Sequence, residues 1–173
     1  TITIAVDDAN SDDDFDTVAD QTVSVDTLDD DVAGFTVEET DGSTEVDESG
    51  STDIFTVVLD AQPTLDVVLT ITSESTTEAS VNPSSITFTS ENWDTPQTVT
   101  VTGVDENVVD GDQTTNITIA ILDTASDDNF DALADQTVSV DTLDDDVAGF
   151  TIEETDGSTE VDESGSTDIF TVV

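Results

Sequence analysis

The amino-acid sequence predicts an all-β protein, and three observations support this prediction. Short segments such as DIFTVVL and TVTVTG alternate apolar residues with Thr and other polar residues, which is the period of a half-buried strand. Turn-forming residues separate these segments, as in AQP at 61–63 and NPSS at 82–85. Residues 1–58 recur at 116–173 with an offset of 115 and with 49 of 58 positions identical. The chain is therefore expected to contain repeated β-domains.

The recurrence divides the chain into three parts. Residues 1–34 are predicted to be the C-terminal part of one repeat, 35–149 a complete repeat, and 150–173 the N-terminal part of the next repeat. A unit of 115 residues has the size of a domain and exceeds the 20–50 residues that are typical of solenoid repeats. Because the chain begins and ends within a repeat, we expect a longer tandem array.

Seven strands, named A to G, are predicted in the complete repeat. Phe55, Val57 and Leu59 illustrate the pattern, since their spacing places all three on one face of strand B. No segment shows the period of a capped helix. The predicted strands are A at 35–39, B at 51–59, C at 64–72, D at 84–89, E at 96–104, F at 113–122 and G at 136–143. Seven short strands in a repeat of this length are typical of an immunoglobulin-like β-sandwich. Residues 1–34 would supply strands F and G, and residues 150–173 strands A and B.

The charge of the chain excludes several classes of function. The sequence has 44 Asp and Glu residues and no Lys, Arg, His or Cys, so its formal net charge is −44. Nucleic-acid binding requires cationic side chains, and anionic membrane surfaces would repel the chain. No apolar run approaches the roughly 18 residues of a membrane span, so no membrane insertion is expected.

Zinc, copper and haem sites normally use His or Cys, and a catalytic triad or a Schiff-base lysine is impossible. We expect no enzymatic activity. Carboxylates, hydroxyls, amides and carbonyls remain, and these oxygen ligands suit a hard cation such as calcium.

The acidic residues are concentrated in loops at one end of the predicted sandwich. Alternating strand directions place the AB, CD and EF loops and the end of strand G at one pole, named the distal pole, and the BC, DE and FG loops at the opposite, proximal pole. Asp and Glu residues occur in all four distal segments. Their mutual repulsion would be strong without cations, whereas calcium accepts six to eight oxygen ligands from flexible loops. The sequence therefore predicts that two or more calcium ions bind at the distal pole.

The sequence resembles a known family of repeats. The segments TDIFTVVL, NPSSITFTSENWDTPQTVTVTGVDE and VDTLDDD are similar to the Calx-beta-like repeats of giant bacterial and archaeal surface adhesins, and the resemblance covers the entire chain in register. It implies a seven-stranded Calx-beta-type sandwich with calcium at the domain end, arranged in tandem in secreted or cell-surface proteins.

The same resemblance implies a set of calcium ligands. In this family a Glu of the AB region, acids of the EF loop and an Asp run after strand G hold the ions. The matching residues here are Glu48, Asp105, Glu106, Asp110, Asp144, Asp145 and Asp146, and the corresponding positions in the partial repeats are Asp29, Asp30, Asp31 and Glu163. Glu74 or Glu78 is a weaker candidate.

The proximal pole and the linker allow further predictions. Asp127, Asp128 and Asp131 of the FG loop are either additional calcium ligands or acids of Asx-turns. The linker DDDVAG at 144–149 is short enough to bring the Asp run of one repeat near the next, so calcium would also fix the angle between repeats. Trp93 is expected to close the proximal end of the core rather than to bind a sugar.

These observations favour a calcium-stabilised structural repeat of a secreted giant adhesin stalk or cell-surface filament, which provides extension and rigidity. The expected partners are neighbouring repeats of the same chain and parallel chains in a filament. One alternative is a subunit of an extracellular filament or matrix that assembles through contacts between repeats or by strand exchange. Another is a module that binds glycan or protein through its proximal loops. A third is that the acids serve only solubility in brine.

Overall fold

The computed structural model describes residues 1–173 and contains two compact units, Thr1–Val32 and Ala33–Val173. The first unit contains strands β1 (Ile2–Ile4) and β2 (Gln21–Val23), which form an antiparallel hairpin, and a 3₁₀ helix at Asp13–Phe15. All three elements are exposed along their length.

The second unit contains a sandwich of two sheets. One sheet has the order β3-β5-β9-β7, and the other has the order β4-β11-β10-β6-β8. The strands are β3 (Phe35–Glu39), β4 (Thr44–Asp47), β5 (Thr52–Leu59), β6 (Val67–Ser73), β7 (Ala79–Asn82), β8 (Ser85–Phe88), β9 (Gln97–Gly103), β10 (Gln113–Ile121) and β11 (Gln136–Leu143). Short 3₁₀ helices lie at Thr40–Gly42 and Asp123–Ala125. A separate hairpin follows, formed by β12 (Ile152–Glu154) and β13 (Phe170–Val172).

The core lies between the two sheets and is formed by the alternating residues of their inner faces. Phe55 and Val57 of one sheet and Leu69, Phe88 and Ile117 of the other are fully buried in the same cluster. Burial of each such side chain stabilises the fold by about 1.5–3 kcal/mol. The predicted all-β, immunoglobulin-like sandwich is confirmed, with strands A to G corresponding in order to β3, β5, β6, β8, β9, β10 and β11.

The AB connection differs from the predicted open loop. Asp41 and Gly42 have φ angles of 57° and 85°, and this left-handed turn redirects the chain after β3. The following segment forms β4, which leaves the sheet of β3 and pairs in parallel with β11 in the opposite sheet. The pairing partner of β4 lies almost a hundred residues further along the chain, so local sequence could not indicate it.

Predicted strand D corresponds to β8, and the structure contains a further strand before it, β7, that was not predicted. Strand β7 pairs with β9 in one sheet, and β8 pairs with β6 in the other. Pro83 lies between them and has no N–H group to donate, so it interrupts the ladder at the crossing. Predicted strand C begins later than expected, at Val67, because the N–H groups of Thr64 and Leu65 donate to a carboxylate instead of a neighbouring strand.

The hairpins at the two ends repeat the pairing of the sandwich. Ile2 pairs with Val23 just as Ile117 pairs with Val138, and Ile152 pairs with Val172 just as Val37 pairs with Val57. The division of the chain into two partial repeats and one complete repeat remains a prediction.

Gly103 permits a close backbone contact at the distal end of the sandwich. A Cβ atom at this position would lie 2.0 Å from the backbone oxygen of Asp47, at the end of β4. The end of β9 can therefore approach the end of β4 only if residue 103 is glycine.

Substitution of Gly103 by Ala is expected to lower the free energy of unfolding by roughly 1–3 kcal/mol, because the added methyl group must displace the backbone of Asp47. Chemical denaturation of the two proteins measures the difference. Gly149→Ala is the matched control, since the nearest atom to its added Cβ is 4.0 Å away. Equal stability of the two variants would contradict this explanation.

Candidate metal centre

The centre of the distal pole is Glu48, in the turn between β4 and β5. Its side chain has 0% of its surface exposed, and neither carboxylate oxygen accepts a hydrogen bond from the protein. Its backbone N–H donates to the carbonyl of Leu143 at 3.1 Å, which continues the β4–β11 pairing by one residue. Because long-range pairing fixes this backbone, the Glu48 side chain is held at the end of the core.

The neighbouring Asp47 has a different role. Its carboxylate accepts a hydrogen bond from the hydroxyl of Ser49, and its backbone N–H donates to Oγ of Ser51 at 2.7 Å. These serines hold the pKa of Asp47 below its usual value. The Asp47 side chain therefore closes the turn, whereas Glu48 faces the other acids of the pole.

Four further carboxylates meet Glu48 in two groups of three. Glu48, Glu106 and Asp110 form the first group, and Glu48, Asp144 and Asp146 form the second. Within each group, one carboxylate oxygen from each residue lies within 4.8 Å of those from the other two. These five residues, named the distal cluster, come from the β4–β5 turn, the β9–β10 loop and the segment after β11.

Backbone hydrogen bonds position the loops that carry the distal cluster. The N–H of Gly111 donates to Oδ2 of Asp144 at 2.7 Å, and the N–H of Asp144 donates to Oδ1 of Asp112 at 3.1 Å. The N–H of Asp146 donates to Oδ1 of Asp144 at 2.8 Å. The protein's own hydrogen bonds thus join the β9–β10 loop to the segment after β11.

Glu78 lies beside the distal cluster, although it was predicted only as a weaker candidate for a calcium ligand. Its Oε2 atom is buried without a hydrogen-bond partner, and after burial and the charge of Asp110 its carboxylate also raises the pKa of Glu106. The backbone N–H of Val104 donates to its carbonyl at 2.9 Å, which places Glu78 beside the start of the β9–β10 loop. The other weak candidate, Glu74, is exposed and accepts a hydrogen bond from Asn116 instead.

The electrostatics of the cluster are unfavourable in the protein alone. Burial, followed in importance by the negative charges of Asp144, Glu106, Asp110 and Asp146, raises the pKa of Glu48 to about 7. Burial likewise raises the pKa values of Glu106 and Asp146. The sequence has no Lys, Arg or His with which these carboxylates could pair.

A hard cation fits this arrangement. Calcium binds oxygen atoms at about 2.3–2.6 Å, so two of its ligand atoms can lie at most about 5 Å apart. The separations within both groups satisfy this limit. The orphaned oxygens of Glu48, Glu78 and Asp146 are the acceptors that such an ion would satisfy.

The remaining predicted ligands lie outside the two groups. Asp105 and Asp145 are exposed, although both raise the pKa of Asp146 and therefore lie near it. In the partial repeats, Asp29, Asp30, Asp31 and Glu163 are also exposed. The Asp run of the N-terminal partial repeat has the same hydrogen bond as the run after β11. The N–H of Asp31 donates to Oδ1 of Asp29, just as the N–H of Asp146 donates to Oδ1 of Asp144.

Asp127 in the β10–β11 loop shows how an acid at the proximal pole is satisfied without an ion. Its Oδ2 atom accepts hydrogen bonds from the N–H and hydroxyl groups of Thr64 and from the N–H of Leu65, at 2.7–3.0 Å. Its Oδ1 atom accepts two more from Asn129. These donors, above all Thr64, hold the pKa of Asp127 far below its usual value. Asp127 therefore acts as a structural acceptor that joins two proximal loops.

No helix in the structure has both the length and the apolar character that a membrane crossing requires.

No family model matches the chain, and no curated protein sequence matches it. Several solved structures are similar. The apo form of the Calx CBD1 domain is 14% identical over 65% of this chain and 98% of that chain, with a TM-score of 0.42. The surface layer protein SbsC, domains 1–6, is 23% identical over 88% of this chain and 19% of that chain, with a TM-score of 0.48. The E. coli chaperone DraB is 10% identical over 69% of this chain and 59% of that chain, with a TM-score of 0.46.

The raised pKa of Glu48 predicts an unusual pH dependence of stability in the metal-free protein. Folded Glu48 binds its proton up to about pH 7, whereas the unfolded residue releases it near pH 4.5. Its contribution to the free energy of unfolding is therefore fully present below about pH 4.5 and is lost as pH rises through about 7. Glu48→Gln is expected to abolish this loss, so that the variant becomes more stable than the parent above pH 7.

Chemical denaturation of the metal-free protein between about pH 4.5 and 7 measures this effect. The quantity compared is the free energy of unfolding of Glu48→Gln and of the parent at each pH. Glu163→Gln is the matched control, because Glu163 has the same local sequence and is exposed. Identical pH profiles for the parent and Glu48→Gln would contradict the burial of an ionisable Glu48.

Asp127→Ala is expected to lower the free energy of unfolding by at least about 2 kcal/mol, because several buried donors lose a charged acceptor. Since the folded pKa is lowered, this stabilisation is present at neutral pH and is lost only as pH falls through the folded pKa. Thermal or chemical unfolding at neutral pH measures it. Exposed Asp128 provides the control variant Asp128→Ala, and equal losses from both substitutions would refute the assignment.

Proposed function

We propose that this chain is a calcium-stabilised structural repeat of a secreted giant adhesin stalk or cell-surface filament, to which it gives extension and rigidity. The observation that carries the proposal is the distal cluster, in which Glu48 is fully buried among four other carboxylates in a chain without Lys, Arg or His. A buried carboxylate is stable in the charged form only beside a cation or strong donors. In this proposal, bound ions supply the positive charge that the chain lacks.

Calcium suits the cluster better than magnesium. Calcium accepts six to eight oxygens in flexible geometry, whereas magnesium requires a near-ideal octahedron and retains several waters. The two groups of three acids share Glu48, so the proposal places at least two ions at the distal pole, with the Glu48 carboxylate between them. Glu78, Asp105 and Asp145 would complete the coordination from the surrounding loops.

The position of the cluster supports a mechanical role. The β4–β5 turn and the β9–β10 loop each connect the two sheets, and the segment after β11 begins the linker to the following hairpin. Ions held by these segments would join the two sheets at the distal pole and fix the start of the linker. Ligand binding of this kind stabilises a fold by about 2.7 kcal/mol per site at a hundred times the dissociation constant.

Burial also separates this proposal from solvation by acids alone. An acid that serves only solubility in brine gains its effect from exposure to solvent, but Glu48 has 0% of its surface exposed and Asp144 and Asp146 are partly buried. The proposed setting is extracellular, where calcium-binding modules operate with dissociation constants of about 10⁻⁴–10⁻³ M. Neighbouring repeats are the proposed partners, and no catalytic activity is proposed.

The glycan-binding alternative has less support. An open depression at the proximal pole is lined by Thr64, Leu65, Asp66, Ser90, Ala125 and Ser126, and none of these side chains is aromatic. Trp93, the only tryptophan, is partly buried and packs against the core. This depression therefore lacks the stacking surface that a sugar ring would favour.

Calcium titration of the 173-residue chain tests the proposal. Titration calorimetry is expected to show calcium binding, and thermal unfolding is expected to shift to higher temperature when calcium is added to chelated protein. Glu48→Gln should weaken binding by at least about tenfold, in line with losses seen at other metal sites.

Glu91→Gln provides the matched control, since it makes the same chemical change at an exposed residue outside the distal cluster. A parent protein that binds no calcium at millimolar concentration, or equal affinity in the parent and Glu48→Gln, would refute the proposed site.

A further inference from the structure

The first and last segments of the sandwich are joined directly to each other. Strand β4 lies near the start of the sandwich and β11 is its last strand, yet they pair in parallel over four successive residue pairs that begin with Thr44 opposite Val140. The N–H of Glu48 donates to the carbonyl of Leu143 at 3.1 Å and extends this pairing. The chain continues on both sides of the sandwich, with β1–β2 before it and β12–β13 after it. A pull along the chain therefore enters the sandwich before β3 and leaves it after β11.

The parallel direction of this pair decides how it responds to such a pull. The start of β4 and the end of β11 lie at opposite ends of the pair. A pull along the chain therefore slides the two strands past each other, while their hydrogen bonds lie mainly across the direction of the pull. Sliding strains all of these bonds at once. In an antiparallel hairpin the two chain ends lie together, so a pull on them opens one bond at a time.

Burial and a side-chain contact hold β4 and β11 in this arrangement. The side chains of Val46, Val140 and Thr142 are at most 2% exposed, so one face of the pair is closed to water by the core. At the proximal pole, Gln136 at the start of β11 donates through Nε2 to the carbonyl of Phe35 at the start of β3, at 2.6 Å. The first and last segments are thus connected at both poles of the sandwich.

The outer edge of β4 is also occupied. The N–H of Glu45 donates to Oδ2 of Asp53 at 3.0 Å. The N–H of Asp47 donates to Oγ of Ser51 at 2.7 Å. These bonds fasten β4 to the start of β5, so β4 is held on one side by β11 and on the other by side chains of the following segment.

We propose that the parallel β4–β11 pair, named the mechanical clamp, is the element by which this domain withstands tension along the chain. This role goes beyond rigidity, because it sets the force at which the domain unfolds rather than the shape of the folded chain. Forced unfolding is governed by the rate of unfolding and not by equilibrium stability. The clamp therefore gives the sandwich a resistance to pulling that its total stability does not determine.

The distal cluster lies at the end of the mechanical clamp, and this part of the inference rests on the proposed calcium function. Glu48 directly follows β4, and Asp144 and Asp146 follow β11. Sliding the strands by one residue would move Glu48 by about 3.3 Å from its position beside the two aspartates. That displacement exceeds a calcium–oxygen distance of about 2.3–2.6 Å, so a shared ion would lose ligands before the clamp could slide. Bound calcium is therefore expected to strengthen the clamp.

Single-molecule force spectroscopy of the 173-residue chain in two pulling directions tests the clamp. The sequence has no Cys, so cysteine handles attach only where they are introduced. Thr1→Cys with Val173→Cys pulls the clamp in shear. Ser49→Cys with Val147→Cys pulls on two exposed residues at the distal end of the clamp and opens it one bond at a time. The sandwich is expected to unfold at a several-fold higher force in shear, and equal forces in the two directions would overturn the clamp.

A matched pair of core variants separates mechanical from equilibrium stability. Val46→Ala shortens a buried side chain within the clamp, and Val67→Ala makes the same change in β6, which β10 separates from β11. Both substitutions should lower the free energy of unfolding in denaturant. Under constant force in shear, Val46→Ala should speed unfolding by about tenfold, whereas Val67→Ala should change the rate by less than about twofold. Equal acceleration by the two variants would overturn the assignment.

Measurements with calcium distinguish this inference from the proposed function. In shear, calcium is expected to slow unfolding of the parent and of Glu91→Gln, but not of Glu48→Gln. A chain that binds calcium through Glu48 without slower unfolding in shear would overturn the strengthening of the clamp and leave the proposed calcium site in place. A chain that resists shear more than opening from one end, yet binds no calcium, would overturn the proposed function and leave the clamp in place.

Discussion

The structure depends on the burial of negative charge in a chain that has no Lys, Arg or His. Glu48 lies at the end of the hydrophobic core, with no hydrogen bond to its carboxylate and with four other acids around it. Desolvation and like charges both disfavour the ionised form, which explains the raised pKa of Glu48. The backbone pairing of β4 with β11 and the hydrogen bond from Glu48 to Leu143 hold this arrangement in place.

The fold creates the arrangement through contacts between distant segments. The left-handed turn at Asp41 and Gly42 sends the chain across to the opposite sheet, where β4 pairs with β11. Gly103 allows the end of β9 to approach the end of β4. Together these contacts hold the β4–β5 turn, the β9–β10 loop and the segment after β11 close enough for their carboxylates to meet.

The two poles of the sandwich show how surroundings decide the behaviour of an acid. Asp127 is 3% exposed and accepts five hydrogen bonds, so its pKa is lowered. Glu48 is equally buried but accepts none, so its pKa is raised. Burial alone therefore does not distinguish the two acids, whereas the presence or absence of hydrogen-bond donors does. The proximal acid serves as a structural acceptor, and the distal acid is suited to bind a cation.

The sequence by itself determined the class of fold and the chemistry that is available to it. Alternation and turn residues predicted seven of the nine sandwich strands closely, because those patterns are local, and composition left only oxygen ligands. The tertiary structure decided which acids meet. Glu48 faces the cluster whereas its neighbour Asp47 does not, and Glu78 lies beside the cluster whereas Glu74 accepts a hydrogen bond from Asn116. Adjacent acids are nearly equivalent in sequence, and their directions are set by pairings such as β4 with β11. Those pairings join residues far apart in the chain, so no local pattern contains them.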